Sequence, residues 1–391
     1  MVRRILIFIN SIFLICTLPA QPKEFGANNY IEYQKGTLPV IISVSHGGSL
    51  YPSSIPDRTC NDPVYATDVF TIETAMEIKA ALFSATGCFP HIIISHLRRA
   101  KLDCNRNINE GACGNSEAIN AWNEFHTFIK KARDSAELMY NNKTLFVDLH
   151  GHGNPADRIE LGYLLYDNEL ELPDETLNTE KYINYSSIKD LVKTNLNNYS
   201  HAQLLRGNEA FGTLLSNLEY PSVPSQQIPF PGTTSNYFSG GYITANHTSY
   251  KSGVNTNGFQ MELYNKGIRD SGVNREKFAK AFTKTVLRFL NTHFNMNWFG
   301  CQPLKTSGNN ESEIKVYPNP MKSGSSFFIE SPENKFDHFK ILDLNGFESE
   351  NGNISGDNEL ILINKLEPGL HLLVLFDLKT GAKHITKLIT Q

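Results

Sequence analysis

The segment spanning residues 145–153 constrains the fold more than any other part of the chain. A short, mostly apolar run carries Asp148 and His150 and ends in glycines, a pattern typical of a buried strand that presents polar side chains at its C-terminal end. In open α/β sheets, ligands bind at that end of the strands. The alternative is a strand followed by a tight loop in which His150 makes ordinary hydrogen bonds.

Three further strand-like segments end in, or carry, polar groups. Residues 38–45 stop at His46 with two glycines, residues 91–95 precede Arg99, and the run 258–263 holds Glu262 among apolar neighbours. On an exposed face Glu262 is a solvated strand residue, whereas on a buried face it is a candidate general base. Apolar residues recur at helical spacing in three other segments: 69–83, 116–140 and 274–294. This alternation predicts an α/β domain whose polar groups meet at one edge of the sheet.

The chain ends differ in character from its middle. Arg3 and Arg4 precede a short apolar run that ends near Ala20, which predicts a secretory signal peptide over residues 1–20. The run is too short for a transmembrane helix. A lipoprotein anchor at Cys16 is disfavoured because Ile15 precedes it, where a small residue is needed.

Length and composition predict two folded units. A chain of 391 residues exceeds what one core usually serves. We expect a catalytic domain over residues 21–303, a Ser/Asn/Gly-rich linker over 304–312 and a small all-β sandwich over 313–391, where short strands alternate with Gly and Asn turns. A net charge of -4 gives no reason to expect nucleic acid or a membrane surface as partner.

Five cysteines remain after removal of the predicted signal peptide. An exported chain permits disulfides, but the odd number leaves at least one thiol or one intermolecular bond. Cys104 and Cys113 are the favoured pair because they would close a short loop. No Cys-x-x-Cys spacing supports a thiolate metal site.

The polar groups at the strand ends are those of a metallohydrolase. Two histidines and one carboxylate with an open position are what a catalytic zinc needs, and a further carboxylate such as Glu262 can take a proton from water. Asp68 has two interpretations, as the N-cap of the helix predicted at residues 69–83 or as a metal ligand. A Gly-x-Ser-x-Gly elbow, a phosphate-binding glycine loop and a His-Glu-x-x-His motif are all absent from the sequence.

A basic run over residues 98–106 also has two interpretations. Three arginines and a lysine within it could form a solvated face, the usual explanation of such a run. Alternatively they receive an anionic substrate group, because a guanidinium matches the two oxygens of a carboxylate.

Five ordered motifs within residues 39–294 resemble those of the N-formylglutamate amidohydrolase family, which is similar in fold and site to zinc carboxypeptidases and aspartoacylase. The motifs are Ser45-His46-Gly47-Gly48, Arg99 with Asp103-Cys104-Asn105-Arg106, Asp148-Leu149-His150, Gly240-Gly241-Tyr242-Ile243-Thr244 and Gln260-Met261-Glu262-Leu263. The resemblance implies a carboxypeptidase-like mixed sheet flanked by helices.

The resemblance also implies roles for particular residues. His46 and His150 are expected to bind Zn²⁺, and Glu262 to act as general base. Arg99 is expected to polarise the scissile carbonyl. The substrate-binding residues implied are Asn105, Arg106, Tyr242 and Thr244, with the first two docking a carboxylate.

The third metal ligand departs from the carboxypeptidase pattern. Ser49 stands where those relatives have a metal-binding carboxylate, three residues after His46. Asp68, which matches the Thr-Asp of the family, is the expected substitute. His152 is the alternative, and it would need a glycine turn to reach the same ion.

The C-terminal region has a resemblance of its own. Val316-Tyr317-Pro318-Asn319-Pro320, Ile341-Leu342-Asp343-Leu344-Asn345-Gly346 and Leu366-Glu367-Pro368-Gly369 are similar to the type A sorting domain of the type IX secretion system. This implies a Gram-negative bacterium, passage across the outer membrane, and release or surface attachment. The alternative is an adhesive β-sandwich that the mature enzyme retains.

Taken together, these features predict a secreted or cell-surface zinc hydrolase that cleaves an amide in a small N-acyl amino acid or peptide end with a free carboxylate. A carboxypeptidase-like enzyme acting on longer peptides or cell-wall fragments is the second enzyme hypothesis. A metal-free binding protein on a hydrolase scaffold is the third, and Ser49 is its main support.

Overall fold

The computed structural model describes residues 21–232, 236–296, 298–299, 302–303, 314–330, 336–343, 348–356, 358–363, 366–377 and 383–391. The predicted signal peptide and the predicted linker lie outside these residues. Among the described residues, no helix is both long and apolar enough to cross a bilayer.

A mixed eight-stranded sheet forms the centre of the larger region. Its strands are β1 (Lys23–Phe25), β2 (Ile31–Gln34), β3 (Val40–Val44), β4 (His91–Ser95), β5 (Leu145–Gly151), β6 (Ile159–Gly162), β7 (Ser222–Val223) and β8 (Asn257–Leu263). They lie in the order β1-β2-β4-β3-β5-β8-β6-β7. The four central strands β4, β3, β5 and β8 are mutually parallel, while β2 and β6 run antiparallel to them. Their C-terminal ends therefore meet at one edge.

Helices cover both faces of this sheet. They are α1 (Thr71–Thr86), α2 (Ile108–Ala112), α3 (Ser116–Tyr140), α4 (Asp167–Leu170), α5 (Asp174–Leu177), α6 (Glu180–Tyr185), α7 (Lys189–Thr194), α8 (His201–Arg206), α9 (Phe211–Ser216), α10 (Tyr242–His247) and α11 (Gly272–Phe294). Helix α3 packs on the face that carries Phe146, and α1 and α11 pack on the face that carries Val147. Successive strand residues point to opposite faces, so β5 contributes to both cores.

The C-terminal region is antiparallel. A short pair, β9 (Trp298–Phe299) and β10 (Gln302–Pro303), precedes β11 (Lys315–Tyr317), β12 (Phe327–Glu330), β13 (His338–Leu342), β14 (Glu348–Asn353), β15 (Asn358–Ile361), β16 (Gly369–Phe376) and β17 (Lys383–Thr390). Strands β11, β12 and β15 form one sheet, and β14, β13, β16 and β17 form another. Phe327 of the first sheet and Ile341 and Leu373 of the second belong to one buried cluster. The predicted classes, mixed α/β and C-terminal all-β, are confirmed.

The predicted disulfide is wrong. Cys113 is bonded to Cys60, 53 residues earlier, and Cys104 is a buried free thiol. The loop after β3 folds back over α2, and there the guanidinium of Arg58 donates hydrogen bonds to the carbonyl oxygens of Arg99 and Glu110. The bond thus joins two loops at the site edge of the sheet instead of closing a short one.

Candidate metal centre

A row of buried polar side chains crosses the central strands. Ser43 of β3 is in register with Asp148 of β5, and His150 of β5 is in register with Glu262 of β8. All four are buried. Asp148 and His150 are two residues apart and so share one face of β5. The polar groups therefore lie on three neighbouring central strands.

Three side chains of this region converge on one point. His46, Asp68 and His150 each offer a ligand atom, these atoms lie within 4.8 Å of one another, and all three residues are buried. The Nδ1 atom of His150 lies 3.2 Å from Oδ2 of Asp68, and the Nδ1 atom of His46 lies 3.5 Å from the same oxygen. Histidine nitrogens and a carboxylate oxygen are among the donors that bind zinc in proteins.

Asp68 reaches this point from a loop. Its backbone N–H donates to the carbonyl oxygen of His46 at 3.0 Å, which ties the loop to the end of β3. The N-cap of α1 is Phe70, whose φ of 64° lies in the left-handed region. Capping is therefore not the role of Asp68, and its carboxylate instead faces the two histidines and accepts a hydrogen bond from the N–H of Gly151 at 3.2 Å.

The outer nitrogens of both histidines contact carboxylates. Nε2 of His46 lies 2.7 Å from Oδ1 of Asp103, at hydrogen-bond distance. Nε2 of His150 lies 3.0 Å from Oδ2 of Asp148, but the angles at this contact are not those of a hydrogen bond. Oδ1 of Asp148 accepts a hydrogen bond from Ser43 at 2.7 Å. The carboxylate of Asp103 favours the tautomer of His46 that is protonated at Nε2.

Nδ1 of His46 has no hydrogen-bond partner among the described residues, and Nδ1 of His150 shares a hydrogen bond with Oδ2 of Asp68 at 3.2 Å. A metal ion bound by His46, Asp68 and His150 would replace the proton of that hydrogen bond and give Nδ1 of His46 a partner. The group therefore fits a metal ion.

The charges in the centre follow from its pairing. Burial alone would raise the pKa of Asp68, but the hydrogen bond with His150 and the nearby His46 outweigh it and hold that pKa below its usual range. Burial opposes protonation of His150, but the nearby Asp148 outweighs it and raises the pKa of His150 well above its usual value. Asp68 is thus a carboxylate throughout the physiological range.

Glu262 lies on a buried face of its strand, which is one of the two alternatives that the sequence left open. It is 5% exposed, and Nε2 of Gln260 donates a hydrogen bond to its Oε1 at 2.9 Å. Burial, with a smaller contribution from Asp68, raises the pKa of Glu262 to about 7. A carboxyl group in such a setting is suited to exchanging protons.

Three arginines surround Asp103 on the side opposite His46. Nε of Arg99 donates to Oδ2 of Asp103 at 3.0 Å, while Nη2 of Arg58 and Nε of Arg106 lie 3.6 Å from that oxygen. The side chains of Arg99 and Arg106 are 18% and 27% exposed, so they can still reach a ligand. A solvated basic face does not describe these two residues, because both converge on a buried carboxylate.

The other expected substrate-binding residues lie deeper. Both amide atoms of Asn105 contact protein, with Nδ2 donating to Gln260 at 3.2 Å and Oδ1 accepting from the N–H of Ile243 at 2.9 Å. The half-buried ring of Tyr242 packs near Trp122, and Thr244 is fully buried. Asn105 thus lies beside Gln260 of the site, while Thr244 is buried within α10.

His152 lies outside the converging group. Its Nε2 contacts the carbonyl oxygen of Arg158 at 2.8 Å, and its Nδ1 accepts a hydrogen bond from the N–H of Asn154 at 3.1 Å. With both nitrogens engaged, His152 has no lone pair to offer. Asp68 is the residue that completes the group.

Two site residues were given no role by the sequence analysis. Asp148, two residues before His150, could have been identified by strand alternation, which places both on one face. Arg58, 1% exposed, lies in a long loop without any motif, and no local signal points to it.

No model of a known protein family matches the chain, and no curated protein is significantly similar to it. The functional argument therefore depends on the site residues themselves.

Proposed function

We propose that the chain is a zinc-dependent hydrolase that cleaves an amide bond in a small N-acyl amino acid, or in a peptide end, that bears a free carboxylate. The observation that carries the proposal is the convergence of three buried ligand atoms, one each from His46, Asp68 and His150. Glu262, whose neighbour on β5 is His150, supports hydrolysis over simple metal storage.

Each residue of the site has its own role in the proposed hydrolysis. Zinc, when bound by His46, Asp68 and His150, supplies a Lewis acid that polarises a carbonyl and acidifies water. Glu262 accepts the proton of the attacking water, and Gln260 holds its carboxylate in place. Arg99 donates to the oxyanion that develops on the substrate carbonyl.

Arg106 fits the role of carboxylate anchor. Its guanidinium contacts Asp103 and donates to the carbonyl oxygen of Asn61 at 3.1 Å, so its position is fixed before any ligand arrives. A partly exposed, oriented guanidinium pairs well with a carboxylate. A carboxypeptidase-like fold and membership of the N-formylglutamate amidohydrolase family are part of this proposal.

Metal analysis tests the proposal. The full chain, purified without chelator and loaded with zinc, should hold about one zinc ion per molecule. His46→Ala and His150→Ala should each abolish retention, whereas His338→Ala, in the C-terminal region, should not. A wild-type chain that retains no metal would favour a metal-free binding protein.

A substrate panel then separates the two enzyme hypotheses. N-formyl and N-acetyl amino acids should be cleaved, and their α-amides should be poor substrates because they cannot pair with Arg106. Cleavage confined to longer peptides or cell-wall fragments would instead favour the carboxypeptidase-like enzyme.

We also propose that the C-terminal region directs export as a type IX sorting domain. Its antiparallel sheets have a buried core separate from those of the large sheet. Expression of the full chain in a Gram-negative host with this secretion system should place it outside the cell, and removal of residues 313–391 should retain it in the periplasm. Equal export of both forms would contradict the proposal.

A further inference from the structure

Arg269 is a buried arginine beside the candidate metal centre whose hydrogen bonds all reach backbone carbonyl groups. It is 3% exposed and lies in the helical turn Asn265–Arg269, which connects β8 to α11. Its Nε donates to Leu263 at 3.1 Å, its Nη2 donates to His152 at 3.0 Å, and its Nη1 donates to Val69.

Each of these acceptors lies within two residues of a residue of the candidate site. Val69 follows Asp68, Leu263 follows Glu262, and His152 is two residues after His150. One rigid guanidinium thus bridges three segments that are far apart in sequence.

Gly151 shows how closely the guanidinium approaches this edge of the sheet. A Cβ atom at this position would lie 2.5 Å from Cζ of Arg269, a contact that requires something to move. The N–H of the same glycine donates to Asp68 at 3.2 Å. Arg269 and Asp68 therefore both pack directly against one glycine of β5.

We infer that Arg269 is a positioning residue that fixes Asp68 and Glu262 relative to His150, so that the metal centre is formed before the metal binds. This inference rests on the proposed function. Its basis is geometric: three directed hydrogen bonds hold the backbones that carry the ligand, the base and the end of β5. The side chain itself contacts neither metal nor substrate.

The charge of Arg269 weakens the binding of a metal ion at the centre, whereas its hydrogen bonds strengthen it. Burial lowers the pKa of its guanidinium, while Asp68 and Glu262 lie close enough to oppose that shift, so the group keeps its charge. A positive charge repels a cation, and its removal alone would tighten metal binding. Loss of its three hydrogen bonds would let the metal-binding residues move. Loss of such contacts outside the ligands themselves typically lowers metal affinity about 10- to 100-fold. We expect the loss of the hydrogen bonds to dominate.

Zinc affinity measured by competition with a chromophoric chelator tests the inference on the full chain. Arg269→Met, which removes the charge and the hydrogen bonds, should weaken zinc binding about 10- to 100-fold. Arg269→Lys, whose ammonium can donate some of these hydrogen bonds but lacks the planar geometry for all three, should recover only part of that loss. Gly151→Ala, which keeps Arg269 but displaces its guanidinium, should also weaken binding and provides a second variant should Arg269→Met not fold.

Arg206 provides a matched control away from the centre. It also donates to two backbone carbonyl groups, those of Leu170 at 2.6 Å and Leu172 at 2.8 Å. Arg206→Met should lower the unfolding temperature and leave zinc affinity unchanged. Folding of each variant is checked by circular dichroism, so that affinity refers to folded protein.

The outcomes separate the inference from the proposed function. Wild-type affinity in the folded Arg269 and Gly151 variants, or tighter binding in Arg269→Met, would overturn the inference and leave the metal centre intact. A wild-type chain that binds no zinc would overturn both. Weakened binding in all three variants, with Arg206→Met unchanged, is the result that supports Arg269 as a positioning residue.

Discussion

The imidazole of His46 and the carboxylate of Asp103 are joined by a 2.7 Å contact in which both side chains are buried. Asp103 receives this contact on one oxygen and arginines on the other. One carboxylate thus orients a proposed metal ligand and also holds the arginine proposed to polarise the substrate. Changes at Asp103 should affect both parts of the site.

Asp103→Asn keeps the shape of the side chain but should weaken zinc binding about 10- to 100-fold, because an amide oxygen is a weaker acceptor for the imidazole N–H of His46. Chelator competition measures the change. Asp134→Asn, on the exposed surface of α3 where Asp134 pairs with Lys130 at 2.6 Å, is the matched control and should bind zinc as wild type does. Unaltered affinity in Asp103→Asn would show that His46 does not need this partner.

Glu262→Gln should lower kcat about 10²- to 10⁴-fold while zinc stays bound, because the amide cannot accept a proton. Turnover and zinc content are measured on the same sample. Glu276→Gln, an exposed change on α11 where Glu276 pairs with Lys280, should leave both unchanged. Equal turnover in Glu262→Gln would remove Glu262 from the mechanism.

Arg106→Ala should raise KM about 10- to 100-fold for an acyl amino acid with a free carboxylate, because it removes a charged hydrogen bond. The same variant should show little preference between that substrate and its α-amide. Arg98→Ala is the control, since Arg98 is exposed and its guanidinium lies over the ring of Tyr51 at 5.9 Å. A free-acid preference that survives in Arg106→Ala would place the carboxylate elsewhere.

Removal of the bond between Cys60 and Cys113 should destabilise the fold by about 4 kcal/mol, the chain-entropy value for two cysteines 53 residues apart. Urea unfolding of the Cys60→Ser/Cys113→Ser double variant measures this difference. Peptide mapping without reductant gives an independent check. A peptide that links Cys104 to Cys113 would contradict the observed pairing.

The fold should lose stability as pH falls below neutrality. Burial lowers the pKa of His91, His126 and His201 from 6.5 to about 4 each. The unfolded chain therefore binds more protons below pH 6.5, and stability that is fully present above that pH is lost between 6.5 and 4, by about 1.4 kcal/mol per pH unit for each histidine. Urea unfolding at several pH values measures the slope.

His201→Asn isolates one of these contributions. The asparagine amide can replace the Nδ1 donor that contacts the carbonyl oxygen of Leu177 at 2.7 Å, but it does not titrate. The slope of the unfolding free energy against pH, between pH 6.5 and 4, should decrease by about the contribution of one histidine. An identical slope would mean that His201 does not titrate differently on unfolding.

Strongly periodic elements were predicted well from sequence. Helix α3 spans Ser116–Tyr140 as expected, and the Asn115 side chain caps it while Asn141 ends it in the left-handed region. Strand β4 also has its expected bounds. Strand β14 was not predicted because Glu348–Asn353 is polar throughout, and pairing with β13 alone defines it.

The candidate site was predicted in large part. His150 and Glu262 follow from strand position, whereas the residues alone left Asp68 between helix capping and metal binding, and its match to the Thr-Asp of the resembled family favoured metal binding. The loop residue Arg58 had no such signal. The disulfide was missed for a related reason. Short spacing favoured Cys104, whereas the buried guanidinium of Arg58 helps hold the loop of Cys60 against α2.

The three converging side chains come from positions 46, 68 and 150, which an unfolded chain keeps apart. A cation that they hold in common is therefore available only to the native state, and mass action then couples metal concentration to folding. At one hundred times the dissociation constant, this linkage adds about 2.7 kcal/mol to the stability of the native protein. Metal binding at the buried centre would thus stabilise the sheet, and the melting temperature would rise with the zinc concentration.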